Sequence, residues 1–545
     1  MGELLVGPVL RHVSASDATV WVETSEPGVV EVLGHQEPTW TVSGHHYALV
    51  HVTDLPVGST TAYDVRLGGE LVWPVPEDPH PAPVIRTISP DAPIHLVFGS
   101  CRHATSGAMN DQRYGSDSLD AYARRLAGLP HEKWPTALLL VGDQVYADET
   151  SPKVREQIRR RRSVEEPPGE QVKDYEEYTW LYLESWTDPE VRWLLSTVPS
   201  SMIFDDHDVR DDWNTSAVWR REMQATSWWE ERIIGGLSSY WVYQHLGNLS
   251  PEGLASDELY QKVRAHGSDA WPLLREFARD ADREADGAKG AQWSYRRDLC
   301  RTRLLVVDSR CGRMLEADDR SMLSEREWSW VEAQVDGDYD HLLLGTSLPW
   351  LLPRALHDLE SWDERLAGGT KGPTVARFGE WLRQRADLEH WSAFRGSFDR
   401  LAALLASVGR GERTAGGRPP ATICVLSGDV HHAYVAQAHL GHSVKSPVYQ
   451  LTCSPLHNYV PPLMKKAFEV TWSRVTERVT RLLLGTVSDV PPLRFHWDRL
   501  EGPYFGDQIA TLTLDGRSAE LVLEQGQRGP DGPVLGARFS RLPLA

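Results

Sequence analysis

The sequence predicts an α/β domain preceded by a small antiparallel β-sandwich. Residues 1–90 alternate apolar and polar side chains in short runs, with Gly, Pro and Asp turns between them, a pattern typical of an immunoglobulin- or fibronectin-like sandwich. From residue 91 onward, short apolar runs recur between longer stretches of helical periodicity, which favours an α/β fold. Nearly every apolar run ends in a polar residue whose side chain can bind a metal or take part in catalysis.

The chain is expected to divide as follows. The β-sandwich occupies residues 1–90, and a Pro-rich linker lies near its end. The α/β domain follows over residues 91–495 and includes a helical, Trp-rich insertion at about 213–294. Residues 496–545 return to β-like alternation, which predicts a final β segment that completes the α/β domain. Residues 378–391 show helical periodicity.

Seven apolar runs are candidate buried strands of the α/β domain. They are residues 94–101, 137–146, 200–208, 303–310, 341–347, 422–432 and 448–455. In open α/β sheets, sites gather beyond the carboxyl ends of the strands. The polar residues that end these runs are therefore the first candidates for a functional site.

Bulk composition narrows the class of protein. The 545 residues carry a net charge of −20 and are 41% hydrophobic and 25% charged, ordinary for a globular protein with a large core. The negative charge argues against a generic nucleic-acid or membrane-surface binder. Five cysteines without a close pair predict a reducing compartment. With no signal peptide, twin-arginine leader or membrane-spanning run in the chain, the expected location is cytoplasmic. The oligomeric state is not predicted.

The stretch FDDHDVRDDWN, residues 204–214, places five aspartates within eight positions. Like charges at this spacing repel, and an unpaired carboxylate resists burial. The stretch follows the apolar run SSMIF, so the acids are expected at the end of a buried strand. Something positive should hold them there, and bound dications together with Arg210 are the expected partners.

The strand-end residues form a mixed set of possible metal ligands. They are Cys101, Asp143, Tyr146, Asp206, Asp429 and His431. Carboxylates suit hard cations, whereas imidazole, thiolate and phenolate suit a transition metal. The mixture predicts two unlike metals that share a bridging carboxylate. Two such cations about 4 Å apart can clamp a phosphate and lower the pKa of a bridging water, which then attacks phosphorus in line.

Four motifs carry a family resemblance. GSCR, GDQVY, FDDHD and SGDVHH, in this order, resemble the alkaline phosphatase D (PhoD-like) family of metallophosphatases, within the calcineurin-like phosphoesterase superfamily. The resemblance spans residues 94–455, and the first β module resembles the N-terminal domain common in that family. It implies a four-layer αββα sandwich with the metals between the sheet edges.

The resemblance also implies roles for single residues. Asp143 would bridge the two metal sites. Cys101, Tyr146 and His431 would hold a ferric ion.

The second site would hold Ca²⁺ through Asp206 and Asp429, with Mn²⁺, Mg²⁺ or Zn²⁺ as alternative metals. His207 aligns with the histidine that stabilises the transition state or protonates the leaving oxygen. Arg102, next to the first motif's cysteine, is expected to pair with phosphate oxygens.

One departure concerns the residues after the FDDHD motif. Many family members have an Asn pair where this chain has Asp211 and Asp212, followed by Asn214. Asp212 is therefore expected to replace an Asn ligand, which puts the charge and metal of the second site in question.

Other nearby residues have less defined roles. Asp208 is expected to orient a neighbouring ligand rather than bind a metal itself, and Asp205 is left out as a direct ligand. His432 would face away from His431 on an extended chain and pack instead, or support the second site. Asp308 and Arg310 are equally compatible with a structural salt bridge and with the pocket rim.

The predicted function is metal-dependent hydrolysis of phosphoric esters, monoesters or diesters, by a hydroxide that bridges two metal ions. The substrate would be a small phosphate ester, because phosphate contacts to duplex nucleic acid need more Lys and Arg. Alternatives are a non-catalytic phosphate- or metal-binding protein on the same fold and a nuclease or phospholipase-like phosphodiesterase. An adhesion or scaffold protein that acts through its β module is a further alternative.

Overall fold

The computed structural model describes residues 2–104, 114–288, 290–369, 371–487, 490 and 492–545. Its first ten strands are β1 (Leu4–Val13), β2 (Ala18–Thr24), β3 (Val29–Val32), β4 (His35–Pro38), β5 (Trp40–Val42), β6 (His45–Val52), β7 (Thr60–Ala62), β8 (Val65–Leu67), β9 (Glu70–Trp73) and β10 (Val84–Arg86). They form two four-stranded sheets, β1-β2-β6-β5 and β4-β3-β8-β9, and a β10-β7 pair. Val20, Val50 and Val65 belong to the apolar core of this region. The predicted all-β start of the chain is confirmed.

The remaining strands build two larger sheets. They are β11 (Ile94–Gly99), β12 (Ala137–Val141), β13 (Ser200–Ile203), β14 (Tyr295–Leu299), β15 (Thr302–Val307), β16 (His341–Thr346), β17 (Thr422–Ser427), β18 (Ala433–His439), β19 (Val448–Thr452), β20 (His496–Tyr504), β21 (Gln508–Asp515), β22 (Ser518–Gly529) and β23 (Gly532–Pro543). One sheet has the order β13-β12-β11-β21-β22-β23, the other β14-β15-β16-β17-β19-β18-β20. All seven apolar runs form strands of these sheets, as predicted.

Sixteen α-helices lie in the described part of the chain. They are α1 (Ser118–Ala127), α2 (Pro152–Arg161), α3 (Tyr175–Trp186), α4 (Pro189–Thr197), α5 (Ala217–Gln224), α6 (Trp229–Ser239), α7 (Leu246–Asn248), α8 (Pro251–Ser256), α9 (Glu258–Ala265), α10 (Trp271–Asp282), α11 (Glu325–Gln334), α12 (Arg354–Ala367), α13 (Pro373–Arg385), α14 (Arg395–Gly409), α15 (Pro462–Thr471) and α16 (Arg474–Val487). Six of them, α5 to α10, lie between β13 and β14. No helix among the described residues is long and apolar enough to cross a membrane.

The two large sheets face each other, with helices on their outer sides. A methyl group on Gly345 of β16 would lie 3.5 Å from the side chain of Leu139 of β12, so the sheets are in close contact. Leu119 of α1 joins the same core, whereas Trp328 of α11 and Leu401 of α14 pack on the seven-stranded sheet. The fold is the predicted four-layer αββα sandwich with an N-terminal all-β sandwich.

The end of the chain contributes to both large sheets. β20 pairs with β18 of the seven-stranded sheet, and β21 pairs antiparallel with β11 of the six-stranded sheet. Residues 496–545 therefore join the two sheets physically. The domain limits near residues 90 and 495 stay predictions.

The predicted helix over residues 378–391 is too long at its C-terminal end. Helix α13 ends at Arg385, and Asp387 adopts a left-handed φ of 46°, which a regular α-helix does not tolerate. The chain leaves the helix there, and Glu389 and His390 enter the buried interior near the strand ends.

Candidate metal centre and active site

The carboxyl ends of strands from both large sheets meet at one place. The backbone N–H of Cys101, after β11, donates to the carbonyl of Gly142, after β12, at 3.1 Å. The N–H of Asp429, after β17, donates to Ser100 Oγ at 3.3 Å. A Cβ on Gly428 would lie only 1.9 Å from Ser100 Oγ, so β11 and β17 approach this closely because residue 428 is glycine.

The backbone is strained at four of the predicted ligands. Cys101, Asp143, Asp429 and His431 have left-handed φ angles of 57°, 53°, 65° and 49°. Such conformations cost on the order of 1–3 kcal/mol each and cluster at functional sites. Each lies just beyond a strand, where the left-handed residue turns the chain sharply at the sheet edge.

Three aspartates converge in the buried centre. Asp143, Asp205 and Asp206 each offer an oxygen atom, and these atoms lie within 4.8 Å of one another. Asp143 Oδ1 and Asp205 Oδ2 are buried without a hydrogen-bond partner in the described part of the chain, and buried Asp206 Oδ1 has an ion-pair contact with Arg310 Nη2 at 3.2 Å. Burial, together with the charge of Asp205, raises the pKa of Asp143 well above its usual range. Buried, unpartnered carboxylate oxygens in this arrangement fit a cation.

Arg310 is the positive charge that holds the aspartates together. Its fully buried guanidinium donates through Nε to Asp205 and through Nη1 to Glu389 at 2.5 Å. Its Nη2 atom lies 3.2 Å from Asp206 and 3.6 Å from Asp429. One guanidinium thus faces four carboxylates from three separate segments of the chain.

The expectation that Arg210 offsets the aspartates is wrong. Its guanidinium donates to Gln171 Oε1 at 2.9 Å and lies over the ring of Trp228, 5.4 Å from its centroid. Arg102 is also engaged elsewhere, because it forms an ion pair with Asp117 at 2.8 Å. Its contact with a phosphate stays a prediction.

Cys101 and Tyr146 provide a thiol and a phenol to the centre. Cys101 Sγ lies 3.2 Å from Ser454 Oγ, and the Tyr146 hydroxyl lies 3.4 Å from Asp143 Oδ2 and accepts from Asn458 Nδ2 at 2.8 Å. Burial, followed by the nearby Asp143 carboxylate, raises the pKa of both groups well above the usual range. Deprotonation of this thiol and phenol therefore needs an adjacent cation, which suits metal ligands.

His207 lies beside the carboxylate group and is held by Asp148. Its Nδ1 atom is 2.9 Å from Asp148 Oδ1, and its ring packs on Tyr146 at a centroid distance of 4.8 Å. Burial disfavours the charged imidazole, but the hydrogen-bonded Asp148 carboxylate outweighs it and raises the pKa of His207 well above its usual value. His207, Asp206 and Asp211 also place one ligand atom each within 4.8 Å of the others.

The adjacent histidines 431 and 432 have different surroundings. His432 Nδ1 lies 2.6 Å from the Val430 carbonyl, and its Nε2 accepts from Trp472 Nε1 at 3.2 Å. Both of its ring nitrogens are therefore occupied, which leaves it a packing role. Burial lowers the pKa of His431 to about 4, so that imidazole is neutral, the form that binds a metal.

Asp429 is held by a buried histidine from another segment. His390 Nε2 lies 3.0 Å from Asp429 Oδ2, and His390 Nδ1 lies 2.8 Å from Glu360 Oε1. Burial opposes ionisation of Asp429, but its hydrogen bond to His390 keeps the pKa of the carboxyl well below its usual range. Asp429 is thus an ionised carboxylate at the strand end, fixed in orientation by His390.

The remaining predicted residues support this core. Asp208 Oδ2 accepts the backbone N–H groups of Asp143 and Asp205, both at 2.9 Å, the orienting contact expected for it. The backbone N–H of Asp212 donates to Asp206 Oδ2 at 3.1 Å. Burial, with nearby acids, raises the pKa of the Asp212 carboxyl to about 9. Asn214 is buried and donates to the Arg310 carbonyl at 3.2 Å, so its amide nitrogen supports the arginine.

Sequence reasoning missed several residues of the centre. Asp148 lies two residues beyond Tyr146 in the same strand-end loop, so the strand-end rule itself could have found it, whereas Arg310 was already a candidate for a salt bridge or the pocket rim. Asp205 was set aside although it belongs to the carboxylate group. Glu389 and His390 carried no signal, because their segment continued a helical pattern.

Comparison with known proteins agrees with the motifs. Residues 104–334 match the family described as PhoD-like phosphatase, and residues 1–85 match a domain of unknown function, DUF7800. The first match confirms the predicted resemblance to the PhoD-like phosphatase family over residues 104–334 and supports hydrolysis of phosphoric esters in general. Asp143, Asp206, His207 and Arg310 lie within it.

A solved structure described as "Structure of PhoD" shares the fold. It superposes with a TM-score of 0.58 at 11% sequence identity and covers 100% of this chain and 92% of that chain. No curated protein matches the sequence. At this identity the superposition supports the four-layer fold, and the chemistry must be argued from the residues themselves.

Proposed function

We propose that the chain is a metal-dependent phosphoric ester hydrolase whose reaction centre is the strand-end cluster. The observation that carries this proposal is the buried group of Asp143, Asp205 and Asp206, in which Asp143 Oδ1 and Asp205 Oδ2 have no hydrogen-bond partner among the described residues. They lie beside a thiol, a phenol and an imidazole that suit a transition metal. A purely structural cluster would be expected to satisfy these oxygens internally.

The residues fit two unlike metal ions, Fe³⁺ with Ca²⁺ in our proposal, with Mn²⁺, Mg²⁺ or Zn²⁺ as alternatives. Cys101, Tyr146 and His431 would hold the first ion, Asp206 and Asp429 the second, and Asp143 would be shared. Bound there, the ions would neutralise phosphate charge and lower the pKa of water.

His207 is proposed to donate a proton to the leaving oxygen. The Asp148 carboxylate at Nδ1 keeps the ring protonated and fixes its orientation, which leaves Nε2 to act on the ester. Arg310 keeps the carboxylates in place without competing for substrate, because it is fully buried. Arg102 is proposed to contact the phosphate.

The substrate class is proposed to be small phosphate esters, and both monoesters and diesters fit this centre. The test is hydrolysis of a chromogenic phosphomonoester and a chromogenic phosphodiester by protein loaded with iron and calcium. Chelator-sensitive turnover that is lost in Asp143→Asn supports the proposal. A matched control is Asp363→Asn, which alters another buried aspartate that has no hydrogen-bond partner among the described residues and lies outside the cluster.

The preferred ester would set the substrate search. Metal binding without turnover above that of Asp143→Asn would contradict the proposal and favour a phosphate- or metal-binding protein on the same fold.

A further inference from the structure

Two consecutive helices, α15 and α16, carry large apolar side chains on their outer faces. On α16, Val475, Val479 and Leu482 are 70%, 48% and 70% exposed, and their i, i+4, i+7 spacing places them on one face. On α15, Leu463 and Val470 are 81% and 56% exposed, again seven residues apart. We call these two helices the helical hairpin. A concentration of exposed aliphatic side chains of this kind marks an interaction surface.

Basic residues accompany the apolar ones on the outer side. Residues 462–487 contain five Lys and Arg but only two Glu, in a chain whose net charge is −20. Arg474 and Arg478 are exposed and directly precede Val475 and Val479 in the sequence. On α15, Lys466 is likewise exposed. Neither arginine has an ion pair with a described residue.

The inner side of the hairpin is attached to the body of the protein. Arg481 lies 3.6 Å from Asp358 of α12. Phe468 and Trp472 pack against the ring of His432, with Trp472 donating to its Nε2 atom. The hairpin is therefore docked by one side, and its apolar and basic side faces solvent.

We propose that this outer face binds an anionic lipid surface, with the aliphatic side chains in the acyl region and the arginines at the headgroups. Exposed aliphatic residues bordered by Lys and Arg are the pattern of helices that lie in a membrane interface. Attraction to negative headgroups offsets the repulsion that the chain's overall charge would otherwise cause. A symmetric pair of copies fits less well, because an isologous contact would bring the basic face of one copy against the same basic face of the other.

This binding would hold the candidate centre close to the membrane, because His432 packs on the hairpin and is the sequence neighbour of His431. The proposal concerns binding, so it stands independently of whether the centre hydrolyses esters.

The test is flotation of the full chain with phosphatidylcholine vesicles, with and without about a third phosphatidylglycerol, at low and high salt. Binding is expected only with the anionic lipid and should weaken at high salt. Arg474→Glu/Arg478→Glu should lower the partition coefficient at least about 25-fold, at about fivefold or more per charge. Val475→Ser/Val479→Ser/Leu482→Ser should weaken binding at least about tenfold.

Matched controls change exposed residues elsewhere. Arg160→Glu alters an arginine 75% exposed on α2, and Val57→Ser/Leu71→Ser alters aliphatic residues 60% and 50% exposed near the N-terminus. The controls should bind vesicles like the wild type. If the triple Ser variant does not fold, the two Arg→Glu changes carry the test.

Several results would overturn the proposal. These are no flotation of the wild type, equal binding to neutral vesicles, and equal loss in the controls. Concentration-dependent self-association that requires the same aliphatic residues, without vesicle binding, would show that a second copy covers the hairpin instead.

Discussion

Asp148 Oδ1 lies 2.9 Å from His207 Nδ1, and the other Asp148 oxygen accepts the backbone N–H of Asp211 at 2.6 Å. The carboxylate therefore fixes both the ring and the loop that follows it. Because it binds Nδ1, it leaves Nε2 as the nitrogen that can serve a substrate. A carboxylate in this position orients the imidazole and stabilises its charged form.

Asp148→Asn is expected to lower kcat about 10- to 100-fold, because the neutral amide no longer favours protonated His207. His207→Asn should cost more, about 100- to 10,000-fold. Steady-state kinetics on the preferred chromogenic ester would measure both. Glu149→Gln, an exposed neighbouring carboxylate, is the control and should leave kcat within about twofold. An Asp148→Asn enzyme with wild-type kcat would remove His207 protonation from the mechanism.

Arg310→Met is expected to destabilise the metal-free protein by about 3–5 kcal/mol, because it leaves three buried carboxylates and the partly buried Asp429 without their shared cation. Urea unfolding in the presence of a chelator would measure the loss. Arg160→Met removes an exposed arginine paired with Glu156 at 3.1 Å and should cost less than about 1 kcal/mol. A small effect at Arg310 would mean that these carboxylates are protonated and need no cation.

Substitution should distinguish the adjacent histidines His431 and His432, because only His431 is a proposed metal ligand. His431→Ala is expected to lower the bound iron per chain at least about tenfold, since it removes a proposed ligand. His432→Ala should retain iron but lose about 1–3 kcal/mol of stability, because it breaks two buried hydrogen bonds. Metal content by mass spectrometry and urea unfolding would be measured on both variants. Iron loss in His432→Ala alone would reverse the assignment.

Stability should depend on pH through His45, which joins β6 to α3. Its ring lies 2.8 Å from Glu23 and 2.9 Å from Glu176. Burial opposes the charged ring, but hydrogen bonds to Glu176 and Glu23 outweigh it and raise the pKa of His45 to about 9 from 6.5. The raised pKa means that this stabilisation is complete below pH 6.5 and disappears as the pH rises through 9.

The free energy of unfolding should therefore fall by about 2 kcal/mol between pH 6 and pH 10 relative to His45→Gln. Urea unfolding across that range would measure the difference. His266→Gln, an exposed histidine at the end of α9, serves as the control and should follow the wild type. A constant difference between wild type and His45→Gln would contradict a charged His45.

Much of the fold could be predicted from the sequence, because the spacing of apolar residues along the chain indicates which side chains are buried. The seven apolar runs form strands, and the alternating N-terminal runs form antiparallel sheets. The strand-end rule located Cys101, Asp143 and Asp429, since parallel strands must end at a common edge. The segment that carries Glu389 and His390 was not predicted to belong to the site, because periodicity predicts a helix but does not show where tertiary contacts end it.

The sequence by itself determined the layered α/β fold, the resemblance to PhoD-like phosphatases and a set of candidate metal ligands, because these depend on local pattern and on motif order. Only the tertiary structure decided which charges face one another. Arg310, Glu389, His390 and Asp148 reach the aspartates from distant segments. Which face of the helical hairpin meets solvent was decided in the same way. Charge pairing and exposure act through space, so residues distant in the chain settle them.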